Sequence, residues 1–477
     1  MKILLINPPY PFEEFPAPPF GLISLAAYLI KQGIETIIED YVVETYSPER
    51  LRKVMTAFKP DIAGATAVTM NVKKAISILE YCREVSPSVI TVMGGPHASF
   101  DADALLKTGA IDYVVRGEGE ISFTGLIKNI EHGGTAESIE GISFRVNGRN
   151  IHNPDRKPIP DINTLPLPAR HLVPLSRYRA LGFPINMITS KGCPHKCIFC
   201  AGHRMSGNKL RYFDIARVVD EFEILAGMGF HQINIVDDLF TSNKKRCMAV
   251  CDEIIKRNIK HRWSAFARVD TVSEDLLVKL KKAGCETLCF GIESGNQEIL
   301  DRVKKRTTLL KCRKAAELCL KTGITPMASY ILGLPGETEE TVSETLEFAD
   351  NLGAGYGLHV LAPFPGTEVR EKADEYGIKI FTDDWDLYDA NRAVCDTGGI
   401  SPEAITGIAE NFYKNLQHYF DKLVRKQEEG IELKQEEYEI LRGMESFNFN
   451  KKIITESLIE QFPGIEENYT EDNLISA

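Results

Sequence analysis

The feature that most constrains the fold of this chain is a repeated alternation of short apolar runs with amphipathic stretches. Stretches with helical periodicity, such as residues 21–33 with Gly33 as a C-terminal cap, separate the apolar runs. This order predicts a doubly wound α/β sheet of parallel strands, with a Rossmann-like layout. Its first five strands are predicted at residues 2–7, 36–40, 61–66, 89–95 and 112–117.

The alternation breaks between residues 136 and 184 and then resumes. Apolar runs around Asn147 and Gly148 predict a β-hairpin, and the proline-rich stretch 154–174 predicts an irregular connector. Six further strands with helices between them predict a partial (β/α)6 barrel of the TIM type. These strands are predicted at residues 185–190, 233–238, 263–268, 287–294, 327–333 and 357–363.

The pattern predicts four segments in the chain. They are a Rossmann-like domain (1–135), a hairpin and proline-rich linker (136–184), a partial barrel (185–384) and a small, mainly helical C-terminal region that is a candidate for substrate contact (385–477). Ligands of open parallel sheets bind beyond the carboxyl ends of the strands. In the first segment those ends read NPPYP, TAVTMN, GGPHAS and GEGE, so this rim is the predicted binding edge.

Composition excludes several classes of function. The formal charge of −11 and the pI near 5.6 argue against nucleic-acid binding as the main activity. The N-terminal MKILLINPPYP is too short and too rich in proline for a signal peptide or a membrane span, so we expect a cytoplasmic protein. Eleven cysteines without a secretion signal predict reduced thiols and suit an anaerobic host.

Three of those cysteines lie within the stretch KGCPHKCIFCAGH. Cys193, Cys197 and Cys200 have the spacing C-x-x-x-C-x-x-C. Structural zinc sites and ordinary iron–sulfur clusters take four protein ligands, so three cysteines leave one metal position open for chemistry. The alternative is a Cys3His zinc site completed by His195 or His203.

The ordered motifs resemble the cobalamin-dependent class of radical S-adenosylmethionine (SAM) enzymes. The cysteine motif follows the first predicted barrel strand and has Phe199 before its last cysteine. PPFGLISLAAYL, GGPHAS, RGEGE and LPLPARHL precede it, and DDLFT, RVD, GIESG and GLPGET follow it in that order. The resemblance covers residues 1 to about 370 and implies a [4Fe–4S] cluster, SAM and cobalamin as cofactors.

The resemblance also implies roles for residues of the barrel. The three cysteines would hold three irons, which leaves the fourth iron for the amine and carboxylate of SAM. Phe199 would lie near the adenine, and Arg268 would meet the carboxylate of SAM. Asp237 and Asp238 are expected near the methionine amine, and Glu293 and Ser294 near the ribose or the methionine part.

In the first segment the resemblance implies a cobalamin site, although no D-x-H-x-x-G motif occurs in the sequence. The sequence therefore lacks the motif that usually supplies a histidine as the lower ligand of cobalt, and it does not identify another lower ligand. Glycines would let the backbone approach the nucleotide tail. The predicted cobalamin contacts are Pro8, Pro9, Thr69, Met70, Asn71, Gly94, Gly95, Pro96, His97, Gly117, Glu118, Gly119 and Glu120.

The activity that the resemblance implies is C-methylation of an unactivated sp3 carbon through methylcobalamin and a 5′-deoxyadenosyl radical. The substrate is expected to be a small molecule, a lipid or a protein side chain, such as a glutamine of methyl-coenzyme M reductase. A ferredoxin or flavodoxin would supply electrons. Two alternatives are a cobalamin-dependent radical SAM cyclase or rearrangement enzyme, and, in another class, a zinc- and nucleotide-binding regulatory protein.

Overall fold

The first of two large sheets occupies the N-terminal third of the chain. The structure is a computed structural model that describes residues 1–9, 16–433, 437 and 441. The strands of the first sheet are β1 (Lys2–Asn7), β2 (Glu35–Asp40), β3 (Ile62–Thr66), β4 (Ile90–Gly94), β5 (Tyr113–Val115), β6 (Ile142–Val146) and β7 (Arg149–His152). They lie in the order β2-β1-β3-β4-β5-β6-β7, and β1 to β5 are parallel.

Helices cover both faces of this sheet because its strands are apolar on both sides. Leu4 and Ile6 of β1 pack into one core, whereas the alternate residues Ile3 and Leu5 pack into another. A doubly wound first domain is therefore confirmed. Its helices are α1 (Phe20–Lys31), α2 (Pro48–Phe58), α3 (Val72–Val85), α4 (Pro96–Phe100), α5 (Ala102–Lys107) and α6 (Gly119–Glu131).

The predicted hairpin is present, but it does not belong to a separate linker. Strand β6 pairs antiparallel with β5, and β7 pairs antiparallel with β6. Apolar side chains of β6, such as Ile142 and Phe144, are buried in a core of the first domain. The hairpin therefore extends the first sheet, and the boundary that we predicted at residue 135 is wrong by the length of this hairpin.

The second sheet forms the partial barrel. Its strands are β8 (Ile185–Met187), β11 (Ile233–Ile235), β12 (Trp263–Ala267), β13 (Cys285–Glu293), β14 (Thr325–Leu332) and β15 (Gly355–Val360), all parallel, in the order β15-β14-β13-β12-β11-β8. A short antiparallel pair, β9 (Ser190–Lys191) and β10 (Arg211–Tyr212), follows β8. The six strands agree with the predicted half-open barrel.

Helices cover one face of the second sheet and leave the other face concave. Met187, Ala265 and Leu288 are in the core under the helices, and Val236, directly after β11, lines the cavity on the other side. The helices from the connector to the last barrel strand are α7 (Leu175–Ala180), α8 (Gly202–Met205), α9 (Ile215–Ala226), α10 (Lys244–Lys256), α11 (Glu274–Lys282), α12 (Gln297–Arg302), α13 (Leu309–Lys321) and α14 (Glu339–Asp350).

The chain beyond the barrel is partly helical, as predicted. It comprises α15 (Glu368–Glu371), the antiparallel pair β16 (Lys379–Ile380) and β17 (Cys395–Asp396), and α16 (Pro402–Glu428). The segment 381–388, which we name the strap, packs against the first domain, so the predicted boundary at residue 385 falls inside one structural unit. Apart from 437 and 441, residues 434–477 lie outside the described residues. None of the described helices is long and apolar enough to cross a membrane.

Candidate active site

The cysteine loop lies between β9 and α8, at the carboxyl end of the barrel. Cys197 is buried, Cys193 is half-buried, and the three cysteines form no disulfide. Cys200 keeps contact with solvent, although nearby protein atoms raise the pKa of its thiol to about 11. Burial also raises the pKa of Cys193 and Cys197. Because thiolates are the ligands, iron must displace three protons when it binds here.

The apolar residue inside the motif anchors the loop. Ile198 is fully buried and packs with Val303 and Val369. The Ile198 N–H donates to the Val303 carbonyl (3.2 Å), and the Val369 N–H donates to the Ile198 carbonyl (3.0 Å). This two-sided anchor holds the middle of the motif between Cys197 and Cys200.

The donor set of the loop suits a cluster. Within the described residues, no three or more His, Cys, Asp or Glu side chains gather around one point as a single metal ion would require. In a four-iron cluster each thiolate binds a different iron, so three thiolates need not converge on one point. The residues present therefore fit a [4Fe–4S] cluster with one open iron.

The two aspartates after β11 have different positions. Asp237 is fully buried and accepts hydrogen bonds from the Thr189 N–H (2.5 Å), the Thr189 hydroxyl (2.6 Å) and the Ser190 hydroxyl (2.6 Å). Burial raises the pKa of Asp237. These bonds fix the turn before the cysteine loop, and the contact of Asp237 with the methionine amine stays a prediction. Asp238 is exposed, lines the cavity described below and accepts from the Gly192 N–H (3.1 Å).

Arg268 is also occupied by protein groups. Its guanidinium donates to both carboxylate oxygens of Asp270 (2.9 and 3.0 Å) and to the carbonyls of Lys305 (2.9 Å) and Arg306 (3.3 Å). This side chain holds the backbone of the 304–306 segment, and its pairing with the SAM carboxylate stays a prediction.

The 304–306 segment carries a buried cation, Lys305, that the sequence analysis did not predict. Lys305 is buried, its Nζ lies 2.6 Å from Glu293 Oε1, and it sits 5.9 Å from the centre of the Phe199 ring. Burial alone would lower the pKa of Lys305, but Glu293 and Cys197 raise it above its usual value, so the ammonium stays charged. Its neighbours Lys304 (φ 58°) and Arg306 (φ 55°) both have left-handed backbone, which is costly for such residues.

The structure thus brings Phe199, Glu293 and Lys305 together beside the cysteines. Glu293 also has left-handed backbone (φ 77°), at a register shift in the pairing of β13 with β14. Ser294 is fully buried, and its hydroxyl bonds to the Thr345 hydroxyl (3.1 Å) on α14. Ser294 therefore joins the strand end to α14, which argues against its predicted contact with SAM.

A cavity of about 620 Å³ lies between the first sheet and the cysteine loop. This volume is within the range of cofactor sites. A Cβ added at Gly21 or Gly117 would meet no described atom within 4 Å, so a ligand in the cavity can approach the backbone closely at these two glycines. Of the predicted cobalamin contacts, Asn71, Gly94, Gly95, Pro96, Gly117, Glu118, Gly119 and Glu120 line it, and Ser190, Lys191 and Asp238 line it from the barrel.

Charged side chains join the two domains at one end of the cavity. Glu118 forms two hydrogen bonds with Arg211 (2.8 and 3.0 Å) and accepts from the Ile159 N–H (2.7 Å). Lys191 Nζ lies 3.6 Å from Glu118 and 3.5 Å from Glu120. Burial would raise the pKa of Glu118, but Arg211, Lys191 and the Ile159 N–H together hold it below its usual value.

The remaining predicted cobalamin contacts are not among the residues that line the cavity. His97 is buried, and its Nδ1 lies 3.2 Å from the Thr69 hydroxyl. Its ring also packs edge-on against Trp385 (centroids 5.1 Å apart), so the structure does not bring it to the cavity. Thr69, Met70 and Pro8 are sequence neighbours of lining residues without lining the cavity themselves, and Pro9 does not line it either.

A cysteine loop that suits a cluster, beside a cavity shared with the first domain, defines an α/β protein with two cofactor sites. Comparisons with known proteins agree. The profile of the Radical SAM superfamily matches residues 187–349, and that of the B12 binding domain matches residues 14–127. An uncharacterized methyltransferase of Pyrococcus horikoshii is 32% identical over 422 residues, which span 87% of this chain and 92% of that protein.

Two further similarities extend this picture. The anaerobic magnesium-protoporphyrin IX monomethyl ester cyclase of Rubrivivax gelatinosus is 30% identical, over 81% of this chain and 72% of that protein. The structure of the cobalamin-dependent SAM radical enzyme OxsB, with aqua-cobalamin and SAM bound, superposes with a TM-score of 0.75 at 18% identity. It covers 96% of this chain and 75% of that one, which shows a shared fold.

The chain belongs to the radical SAM superfamily, in the class that carries a B12-binding domain. It is an enzyme of the cobalamin-dependent radical SAM methyltransferase kind, and its cofactors are a [4Fe–4S] cluster, SAM and cobalamin.

Proposed function

We propose that this enzyme methylates an unactivated sp3 carbon, with cobalamin as the methyl carrier and SAM as the source of both the methyl group and the radical. The observation that carries the proposal is the cavity shared by the two domains. Gly94, Gly95 and Glu120 line it from the cobalamin side, and Lys191 and Asp238 line it from the side of the cysteine loop. A methyl donor and a radical generator would thus meet at one cavity.

Three groups of the barrel support the same proposal. Cys193, Cys197 and Cys200 would hold the cluster, whose bound form supplies the electron that cleaves SAM. Lys305 is proposed to receive the SAM carboxylate in place of Arg268, because it is a buried cation next to Cys197. The carboxylate of Asp238 lies at the cavity, and we propose that it binds the methionine amine of SAM.

The substrate is proposed to be a small molecule, a lipid or a protein side chain. A glutamine of methyl-coenzyme M reductase stays a prediction within the last of these. The similar cyclase of Rubrivivax gelatinosus supports a second candidate, radical cyclisation or rearrangement without methyl transfer. Either reaction needs a one-electron donor, for which we propose a ferredoxin or a flavodoxin.

Product counting separates the two candidates. The protein would be purified without oxygen, with cobalamin supplied, and incubated with SAM, a low-potential reductant and candidate acceptors. Methylation gives S-adenosylhomocysteine and 5′-deoxyadenosine together, whereas cyclisation or rearrangement gives 5′-deoxyadenosine alone. Zinc without iron in the purified protein would contradict both and favour the binding-protein alternative.

Variants of the cysteine loop give the matched control. Replacement of Cys193, Cys197 or Cys200 by alanine is expected to abolish iron binding and 5′-deoxyadenosine formation, with cobalamin binding retained. Cys319→Ala is the control, since Cys319 is a buried cysteine of α13 in the barrel core, which contains no residue of the motif. Radical chemistry that survived in a loop variant would overturn the cluster assignment.

A further inference from the structure

His97 lies directly behind the two loops whose front surfaces line the cavity. Its N–H donates to the Ala67 carbonyl (3.0 Å), and the Ala67 N–H donates to the Gly94 carbonyl (2.9 Å). Its imidazole contacts the hydroxyl of Thr69 in the β3–α3 loop (3.2 Å) and lies 3.5 Å from Asp101. The backbone and the side chain of His97 therefore join the loop after β3 to the loop after β4.

The same two loops supply lining residues of the cavity. Thr66, Val68 and Asn71 line it from the first loop, and Gly94, Gly95 and Pro96 line it from the second. Asn71 Oδ1 accepts from the Val68 N–H (3.0 Å), which fixes the first loop from within. A shift of His97 would therefore move both walls on this side of the cavity.

Trp385 of the strap covers the outer face of His97. The two rings meet edge to face, with centroids 5.1 Å apart. Trp385 packs against the core of the first domain and also against the small cluster of Tyr388 and Val394 beyond the barrel. Arg370 stacks on its ring at 4.7 Å. The indole thus connects the first domain to the chain that follows the barrel.

Ion pairs hold the strap in place on both sides of Trp385. Lys73 at the start of α3 pairs with Asp384 and with Asp386 (3.2 Å). Arg370 pairs with Asp383 (2.9 Å) and donates to the Tyr388 hydroxyl (3.1 Å). Exposed pairs of this kind each stabilise little, so the indole packing dominates the contact and the charges fix its register.

We propose that Trp385 is a positioning residue for cobalamin: the strap holds His97, and His97 holds the two loops that form the cofactor wall. The role that the sequence suggested for His97, direct contact, is thereby replaced by support from behind. The cofactor site then depends on a residue from the far end of the chain, more than 280 positions after the loops that it supports.

The test measures the affinity of the full-length, cluster-loaded protein for hydroxocobalamin, by equilibrium dialysis with the absorbance of the corrin as readout. Trp385→Ala is expected to bind about tenfold more weakly, the loss that removal of one buried aromatic contact produces. Trp385→Phe keeps an aromatic ring on His97 and is expected to restore most of the affinity. The cob(II)alamin spectrum should change in Trp385→Ala and return in Trp385→Phe.

Phe381→Ala is the matched control, because Phe381 is an aromatic residue of the same strap whose side chain is half exposed (51%). It is expected to bind hydroxocobalamin like the natural protein. A second variant, His97→Ala, should lower the affinity with a native circular dichroism spectrum, which separates the effect from misfolding. Unchanged affinity in Trp385→Ala, or an equal loss in Phe381→Ala, would overturn the proposal.

Discussion

At the scale of the residue, the buried ammonium of Lys305 carries the sharpest expectation. Lys305→Met should weaken SAM binding roughly 10- to 100-fold, because a charge-assisted hydrogen bond to a carboxylate contributes about 1.5–3 kcal/mol. Equilibrium dialysis of SAM against the cluster-loaded protein measures this. Lys304→Met is the control: Lys304 is the neighbouring lysine, but its side chain is half exposed and pairs with Glu368 (2.7 Å). An equal loss in both variants would contradict the assignment.

A second residue makes stability depend on pH. Glu337 is fully buried, accepts from the N–H groups of Gly333 (2.7 Å) and Leu334 (3.0 Å), and burial raises its pKa to about 8. The unfolded chain releases this proton near pH 4.5, so the folded state binds more protons between these values. The contribution of Glu337 to the free energy of unfolding is therefore complete below pH 4.5, and it is lost as the pH rises towards 8.

Glu337→Gln removes this ionisation and keeps an acceptor for both N–H groups. We expect the free energy of unfolding of the natural protein to fall relative to that of the variant by a few kcal/mol between pH 5.5 and 8. Urea denaturation without oxygen at the two pH values measures the difference. If the difference in free energy of unfolding between the two proteins is the same at both pH values, Glu337 is already ionised in the folded state at pH 5.5.

The sequence predicted some site residues and missed others for physical reasons. The three cysteines lie within eight positions, so their spacing alone was sufficient to predict a cluster site. The different positions of the two aspartates could have been predicted from the alternation of the strand. Asp237 falls on the same side as Ile233 and Ile235, which pack under the helices, whereas Asp238 falls on the same side as Val236 at the cavity. Lys305 had no local signal, since it stands among other cations and only the tertiary fold buries it.

At the scale of the element, the turn between β4 and α4 is the tightest part of the cofactor wall. Gly95 has φ 95°, and a Cβ there would lie 2.6 Å from the Thr66 hydroxyl and 2.8 Å from the backbone of Ala67. Gly95→Ala should therefore destabilise the fold by about 1–3 kcal/mol. Gly94→Ala is the control, because its nearest contact would be 3.6 Å, and we expect a smaller change in urea denaturation. Equal effects would mean that the turn relaxes.

Elements were predictable where their periodicity was strong. The parallel strands of both sheets lie within a few residues of the predicted positions, since continuous apolar runs bounded by turn residues mark buried strands. The sequence did not predict that the hairpin belongs to the first domain. Its assignment depends on the pairing of β6 with β5, and this contact between separate segments has no signal in the local sequence pattern.

At the scale of the whole molecule, buried charges join the two domains. Arg211→Met would leave Glu118 buried without its main partner, and loss of one member of a buried pair costs about 3–5 kcal/mol. Urea denaturation should show this loss. Arg257→Met is the control, since its pairs with Asp220 and Glu223 are on the surface and contribute little. A small effect at Arg211 would mean that water enters the interface and solvates Glu118.

The final described helix has a consequence for how the protein behaves at high concentration. Strand β15 ends the second sheet, and an uncovered strand edge is a template for pairing with another chain. Here the Tyr413 hydroxyl of α16 donates to the Leu358 carbonyl (2.7 Å), and the Val360 N–H donates to the Ala390 carbonyl (2.6 Å). The chain after the barrel thus covers this edge, and truncation before Ala390 is expected to promote aggregation through strand pairing.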